Sequence, residues 1–494
     1  SLQLNGKLVE NLKTLFSASR MTLIQRGAVP AILRGADVMM KAKTGTGKTL
    51  AYLTPVVEWL VTRKERLTRA DGSFALIVVP TRELGLQVHE VLSNLLRPFH
   101  WLVPGLLIGG EKKKSEKARI RKGLSVLVGT PGRLSDHVRT TECFNVKSMQ
   151  FLIFDEADRL MDMGFEQDIN CICDFVREKR DKSCPTRMQT VLVSATLQQK
   201  VRQFAHSLLS SPVYVTDSSS GAMMTETGEE GKEEEAGEGE DEENKKFELP
   251  SRLRQYWMSI PCKRRLLSLC SFLRQRSIPS TRACKMIVFV SSIAEVKFLH
   301  YLLPRAVLPD DIPIYGLHGD MTQAERTKSF YGFTASSRAI LVCTDVAARG
   351  LDFPKIEWIV QFDPPTELEE YVHRCGRTAR MTTEGDALLF LMPHEEKYVS
   401  LLGKHGLSLS PIPTRTLLVS EERRRRGGEG GGGGGREGEV WMLQSNPDPP
   451  AELARDAFTS FTRAYATHNK GTKAIFHPKA LHLGHVAASF ALRE

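Results

Sequence analysis

Short runs of apolar and β-branched residues, each four or five long and separated by helix-like stretches, constrain this chain more than any other feature. In the first half they occupy residues 75–79, 125–128, 151–154 and 190–193; in the second, residues 286–290, 339–343 and 358–361. A strand that is apolar on both faces belongs in a parallel sheet with helices on each side, because a sheet open to water alternates apolar with polar. The pattern predicts two α/β domains. At roughly 100 to 200 residues per domain, 494 residues hold both with room to spare and exclude a small disulfide scaffold.

Two stretches cannot build a core. Residues 217–246 are a Ser/Gly/Glu tract, and residues 423–450 pass from four arginines into a nearly pure glycine run. The expected organisation is a first domain over 1–216, an acidic linker over 217–246, a second domain over 247–422, an Arg/Gly-rich linker over 423–450 and a helical extension over 451–494. Lys and Arg number 68 against 58 Asp and Glu; the acidic linker holds 12 acids and 3 bases, so the rest carries 65 bases against 46 acids. That surplus favours a polyanionic partner such as nucleic acid.

The nine cysteines are odd in number and scattered, and the one close pair, Cys171 and Cys173, supplies too few ligands for a closed zinc site. Reduced thiols in an intracellular protein are expected. The apolar runs are far shorter than the roughly 20 residues of a membrane helix, so no membrane association is expected. A chain that begins at Ser1 without an initiator Met is expected to be a fragment.

Phosphates bind where strands of such sheets turn into helices. Ala42-Lys43-Thr44-Gly45-Thr46-Gly47-Lys48-Thr49 has the form of a P-loop. Its glycines allow a tight turn that aims N–H groups at phosphate oxygens, Lys48 can reach the β and γ phosphates, and the Thr49 hydroxyl can ligate Mg²⁺. The competing reading is an ordinary Gly-rich connection. Residues 151–154 run directly into Asp155-Glu156-Ala157-Asp158, an apolar strand ending in acids. There Asp155 would hold Mg²⁺ and Glu156 would orient and deprotonate an attacking water; a plain acidic helix cap is the alternative.

Taken together with the segments that follow in order, these residues resemble the DEAD-box RNA helicases across both α/β blocks. Met21-Thr22-Leu23-Ile24-Gln25 with Pro30 is similar to the family's Q motif. Pro80-Thr81-Arg82-Glu83-Leu84, Gly109-Gly110, Thr130-Pro131-Gly132-Arg133-Leu134 and Ser194-Ala195-Thr196 follow. The second block has Val288-Phe289-Val290-Ser291-Ser292, Leu317-His318-Gly319 with Gln323 and Arg326, Thr344-Asp345 through Gly350-Leu351-Asp352, and His373-Arg374-Cys375-Gly376-Arg377-Thr378-Ala379-Arg380.

The resemblance implies two tandem RecA-like domains with parallel sheets plus a small, mostly helical C-terminal extension. It implies ATP and Mg²⁺ as cofactors, with Thr22 and Gln25 reading adenine and Thr44, Gly45, Thr46, Gly47, Lys48 and Thr49 cradling phosphate. Asp352 would touch the ribose, Arg377 and Arg380 would act as arginine fingers, and His373 would link the second domain to the acidic motif. Asp158, Ser194 and Thr196 would couple hydrolysis to strand separation. RNA would be contacted by Thr81, Arg82, Gly109, Gly110, Thr130, Gly132 and Arg133, and by Arg326, Thr344 and Gly350, through phosphates and 2′-OH groups that carry little sequence information. The acidic linker would be a spacer of roughly 30 Å that also repels RNA.

The chain departs from the family pattern at Ala42, Gly85, Cys375 and Ala379, and Leu4 stands where an adenine-stacking aromatic is usual. Phe16 is expected instead in the core, on an amphipathic helix with Leu8, Leu12 and Leu15. Residues 457–493 resemble an extension found in nucleolar members of the family, implying pre-ribosomal RNA of the large subunit, a nuclear and nucleolar location, possible protein activators and a monomer. Leu453, Ala457, Phe458, Phe461 and Tyr465 fall at helical spacing. Behind a glycine run, this helix is expected to dock on another surface, the alternative being that Phe458, Phe461 and Tyr465 pack back on the second domain. Two rivals remain: an RNA scaffold that closes on ATP without turnover, and a double-stranded DNA motor.

Overall fold

The computed structural model describes the chain except residues 1–2, 17, 19, 43–44, 182–183, 185, 198, 217–246, 248, 251, 278–283, 307–311, 346–350, 352, 354, 380–383, 414–449, 470 and 493–494. The described residues form two units, each built on one seven-stranded sheet.

In the first unit the strands are β1 (Val38–Lys41), β2 (Ala75–Val78), β3 (Pro104–Leu107), β4 (Val126–Gly129), β5 (Phe151–Phe154), β6 (Gln189–Ser194) and β7 (Val213–Thr216). They lie in the order β3-β4-β2-β5-β6-β1-β7, and every pair is parallel. The second unit has β8 (Leu253–Ser259), β9 (Cys284–Phe289), β10 (Ile314–Leu317), β11 (Arg338–Cys343), β12 (Trp358–Gln361), β13 (Gly385–Leu391) and β14 (Ser410–Pro411), in the order β10-β11-β9-β12-β13-β8-β14. Shifting each label by seven turns one order into the other, so the two sheets share one topology.

Alternate residues of each strand feed different cores, as the two-residue repeat requires. Val38, Met40, Ala75, Ile77, Val126, Val128, Ile153 and Val191 pack on one face of the first sheet, and Met39, Leu76, Val78, Leu127, Leu152, Phe154 and Leu192 on the other. This doubly covered arrangement is why the runs read as continuously apolar. Among the strands that the apolar runs did not predict, Val-Met-Met-Lys of β1 and Pro-Gly-Leu-Leu of β3 lack a β-branched run and take their conformation from their neighbours.

The helix Gly6–Phe16 buries Leu8 and rests Leu12 and Phe16 against the core, but Leu15 is 41% exposed, contrary to expectation. Seven residues on, it lies on the same side of the helical repeat as Leu8, but one residue from the helix's end. No helix among the described residues is long and apolar enough to cross a membrane, and all nine cysteines are free thiols.

The C-terminal segment overturns the expectation of a separately docking helix. Its helix Ala451–Tyr465 buries Ala454, Ala457, Phe461 and Tyr465 and packs along the helix Ile293–Ala306 of the second unit. Phe490 bridges the rings of Phe461 and Phe298, each 5.7 Å away, and Phe476 stacks on His468 at 4.1 Å and meets Tyr398 at 5.0 Å. A stripe this aromatic gains more from burial on the adjoining unit than from exposure to water. His477 and His482 cap short helices through their Nδ1 atoms, which accept the backbone N–H of Lys479 and His485.

Candidate functional site

The carboxyl edge of the first sheet carries the candidate residues, and the strand order sorts them. Turns after the adjacent strands β5, β6 and β1 hold Asp155 and Glu156, Ser194 to Thr196, and the P-loop. Turns after β3, β4 and β2, also adjacent, hold Gly109 and Gly110, Thr130 to Arg133, and Thr81 with Arg82. Nucleotide and RNA candidates therefore occupy different halves of one edge.

Gly45 and Gly47 of the P-loop have φ of +80° and +86°, where a Cβ is disfavoured. Ala42, buried at the head of the loop, is not among the described residues at positive φ, so its methyl group is accommodated. Lys48 and Thr49 open the helix Lys48–Val61, with Gly47 as its cap and Thr46 just before it. The Lys48 ammonium donates to the Ala42 carbonyl at 3.0 Å, spanning the loop. Thr44 lies outside the described residues.

Thr22 and Gln25 form a reciprocal capping box on the helix Leu23–Leu33, the Gln25 carbonyl oxygen accepting from Thr22 N–H at 3.0 Å. The Gln25 amide nitrogen donates to the Gly47 carbonyl at 3.1 Å. Gln25 thus ties this helix to the P-loop, and part of the amide foreseen for adenine is engaged in that tie.

Tyr52 connects the two phosphate-site motifs. Its hydroxyl donates to Asp155 Oδ2 at 2.9 Å and also bonds to Thr49. Burial pushes the Asp155 carboxyl up to about 6, with the Lys48 ammonium pulling it down and the Glu156 carboxylate pushing it up. Added positive charge beside Asp155 would favour its ionised form. Glu156 adopts φ 51°, ψ 53°, a left-handed conformation that costs about 1 kcal/mol or more in a residue with a Cβ, and its carboxylate pairs with Arg159 at 3.0 Å.

The carboxylate of Asp158 reaches across to the turn after β6. One oxygen accepts from the N–H groups of Ala195 and Thr196 at 3.0 and 3.1 Å and from the Thr196 hydroxyl at 3.2 Å. Ser194 Oγ donates to the Thr196 carbonyl at 2.6 Å. The three coupling candidates are therefore one hydrogen-bonded cluster.

Among the RNA candidates, Thr81 caps the helix Arg82–Leu96, and the Arg82 guanidinium lies so close over Gly109 that a Cβ there would meet Nη2 at 2.5 Å. Gly110 has φ +103°. Thr130 is the N-cap and Pro131 the first residue of the helix Pro131–Thr140, which also carries Gly132. Arg133 is already engaged: its Nε lies 2.7 Å from the buried Glu116 carboxylate.

In the second unit, Thr344 follows β11 and Arg326 lies in the helix Gln323–Ala335, capped by Thr322. His373 and Arg377 flank the end of the helix Leu368–Cys375, and Arg377 Nε donates to the His373 carbonyl at 3.3 Å. Gly350, Asp352 and Arg380 lie outside the described residues. The structure adds a buried network that the motif reading did not single out. Arg374 grips Asp345 with two hydrogen bonds of 2.6 Å and donates to the Asp363 carbonyl. Asp363 pairs with buried Arg265 and accepts from Ser291 N–H at 2.9 Å. Burial raises the Glu295 carboxyl well above its ordinary range beside Asp363.

The Arg265 guanidinium lies over the rings of Phe362 and Phe461 at 4.4 and 5.0 Å. Tyr465 donates to Glu395 at 2.7 Å, and burial pushes that carboxyl up to about 7. The C-terminal helix thus packs on the same Arg265 that holds Asp363.

Family models match three parts of the chain: "DEAD/DEAH box helicase" over residues 22–204, "Helicase conserved C-terminal domain" over 266–382, and "ATP-dependent rRNA helicase SPB4-like, C-terminal extension" over 451–494. The whole chain is 39% identical to "DEAD-box ATP-dependent RNA helicase 17" of Oryza sativa subsp. japonica and covers 90% of it. The chain belongs to the DEAD-box ATP-dependent RNA helicases. It is 36% identical to "ATP-dependent RNA helicase dbp7" of Schizosaccharomyces pombe, covering 73% of that protein. It is 38% identical to the human "ATP-dependent DNA helicase DDX31" but spans only 61% of it. Among solved structures it is similar to "DEAD-box helicase Mss116 bound to ssRNA and UDP-BeF", with TM-score 0.79 and 25% identity over 99% of this chain and 89% of that one.

Within this DEAD-box chain, Tyr52, Arg265, Asp345, Asp363 and Arg374 were not foreseen. Arg374 and Asp345 sit inside quoted motifs and were open to notice there. Tyr52 lies three residues beyond the P-loop on the helix that Lys48 opens, and Arg265 in a helix that carries no motif, so only their spatial neighbours reveal them.

Proposed function

We propose that the chain is an RNA-stimulated, Mg²⁺-dependent ATPase that remodels or locally unwinds RNA. The observation that carries this reading is the meeting of Lys48, Thr49, Tyr52 and Asp155 at one sheet edge, with Glu156 beside them and Asp158 bonded to Ala195 and Thr196.

Lys48 would neutralise phosphate charge, and Thr22 with Gln25 would place the base. Asp155 and Thr49 would hold Mg²⁺; oxygen donors around a buried carboxylate suit a hard cation. When bound, that ion supplies charge neutralisation between phosphate oxygens. Glu156, with Oε2 held by Arg159, would orient a water and take its proton on Oε1. A change at the phosphates felt by Glu156 would reach the turn after β6 through Asp158. Asp352, His373, Arg377 and Arg380 keep, within this proposal, the roles that the family resemblance gives them, as do the RNA contacts.

The RNA would be precursor ribosomal RNA of the large subunit and the location nucleolar, supported by the rRNA-helicase description of the family model over residues 451–494. A monomer acting with protein activators fits this reading. A second reading, action on DNA, is favoured by the printed name of the human relative. Steady-state ATPase assays with RNA, with DNA of the same sequence and with neither separate the two. RNA stimulation is expected, with Lys48→Ala losing nucleotide binding and Glu156→Gln keeping binding but losing turnover. Stimulation by DNA alone would overturn the RNA reading, and full turnover by Glu156→Gln would overturn the role of Glu156.

A further inference from the structure

The first unit carries a basic helix that none of these roles uses. Helix Lys113–Lys122 follows β3 and returns the chain to β4, and residues 111–122 contain seven cations and two acids. Both acids are engaged. Glu116 is fully buried between Arg133, 2.7 Å away, and His137, 2.9 Å away, while Glu111 pairs with Arg119.

The inner face is pinned at further points. Ile120 is buried, Lys113 pairs with Asp136 at 2.5 Å, and Lys117 donates to the Thr140 carbonyl at 2.8 Å. By the helical repeat, Lys114, Ala118 and Arg121 then fall opposite Glu116, with Lys122 on the flank and Lys112 at the cap. Lys112, Lys114, Arg121 and Lys122 are all exposed, and among the described residues no ion pair or side-chain hydrogen bond holds them. The row begins just beyond Gly109 and Gly110 and runs down the side of the sheet for about 15 Å. At its far end Arg121 and Arg69 line one cavity of about 180 Å³.

Such a row fits phosphates better than a protein partner. It presents charge on a fixed helix with only Ala118 between the cations, and lacks the aromatic or aliphatic anchor on which protein interfaces concentrate their energy. Charge alone recognises a nucleic-acid backbone, and double-stranded RNA in particular is bound by backbone and shape. Its length carries it away from the carboxyl edge where the candidate strand contacts lie.

We propose that Lys112, Lys114, Arg121 and Lys122 form a phosphate-contact surface for duplex RNA, anchoring the double-stranded flank of a substrate whose single strand lies on the turns after β2, β3 and β4. This rests on the RNA reading above and adds the part of the substrate that the motifs do not address.

The test uses the full chain with two probes, a short single-stranded RNA and the same strand carrying a hairpin duplex at one end. Affinities are measured across a salt series for the wild type and for a variant with Lys112→Gln, Lys114→Gln, Arg121→Gln and Lys122→Gln, with thermal melting to verify the fold. At roughly 0.7 to 0.9 per neutralised phosphate, the slope of log affinity against log salt for the hairpin probe should flatten by about 3 in the variant. Single-strand binding should be unaffected. Exchanging each Lys for Arg and Arg121 for Lys should restore the slope. An unchanged hairpin slope, or equal loss on both probes, overturns the proposal. So does intact hairpin binding with lost binding to poly-glutamate, which would make the row a surface for acidic protein. A wild-type chain that binds neither RNA overturns the RNA reading and this proposal with it.

Discussion

Asp155 pairs a functional position with a thermodynamic cost. Its folded pKa of about 6 lies above the ordinary 3.8, so between those values the unfolded chain has released a proton that the folded chain retains. Stability therefore falls as pH rises through that window and is lower at pH 7 than below it. Asp155→Asn should raise stability at pH 7 by up to about 3 kcal/mol, abolish ATPase activity, and gain little at pH 4; denaturant titrations at the two pH values check this. Ala379 offers a second case. It has φ +53°, where a Cβ is disfavoured. Ala379→Gly should be neutral to stabilising by about 1 kcal/mol, the relief of strain being partly offset by a freer unfolded chain; a clear loss of stability would show that the methyl group packs usefully. Cys375, another departure, is fully buried with its thiol pushed up to about 12, and so behaves as an apolar side chain.

At the scale of elements, the C-terminal helix is the instructive one. Its aromatic face reads clearly in the sequence, but a period-3.6 pattern states only that one face is buried, not on what. The partner is set by the second unit, which offers Phe298, Tyr398, Glu395 and the Arg265 guanidinium to Phe461, Tyr465, Phe476 and Phe490. Phe461→Ala should cost about 3 to 5 kcal/mol, the range for truncating a buried aromatic. Deleting residues 451–494 should destabilise the second unit and lower ATPase activity, because Arg265, Asp363 and Arg374 lose one wall of their packing. An unchanged melting temperature after either alteration would show the helix to be a passenger. The basic helix after β3 teaches a related point: its composition was plain, yet only the burial of Glu116 separates the pinned cations from the exposed row.

For the molecule as a whole, two sheets of identical strand order with separate cores predict two unfolding transitions by calorimetry. Asp155→Asn should move only the transition of the first unit and Phe461→Ala only that of the second; a single transition shifted by both would refute their independence. Much of this architecture was legible in residue order. The runs at 151–154 and 358–361 became β5 and β12 with the same bounds, because a strand covered on both faces must be apolar at every position. The motif residues were legible too, since phosphate chemistry needs specific side chains at short spacings within one turn. Contacts distant along the chain left no such trace. Tyr52 meets Asp155 across 103 residues, Arg265 meets Asp363 across 98, and Tyr465 meets Glu395 across 70. The amino-acid sequence determined the elements and the local chemistry, whose rules act between near neighbours. Only the tertiary structure decided which of those elements share a charge, a proton or a buried face, because these depend on distances in space that spacing along the chain does not encode.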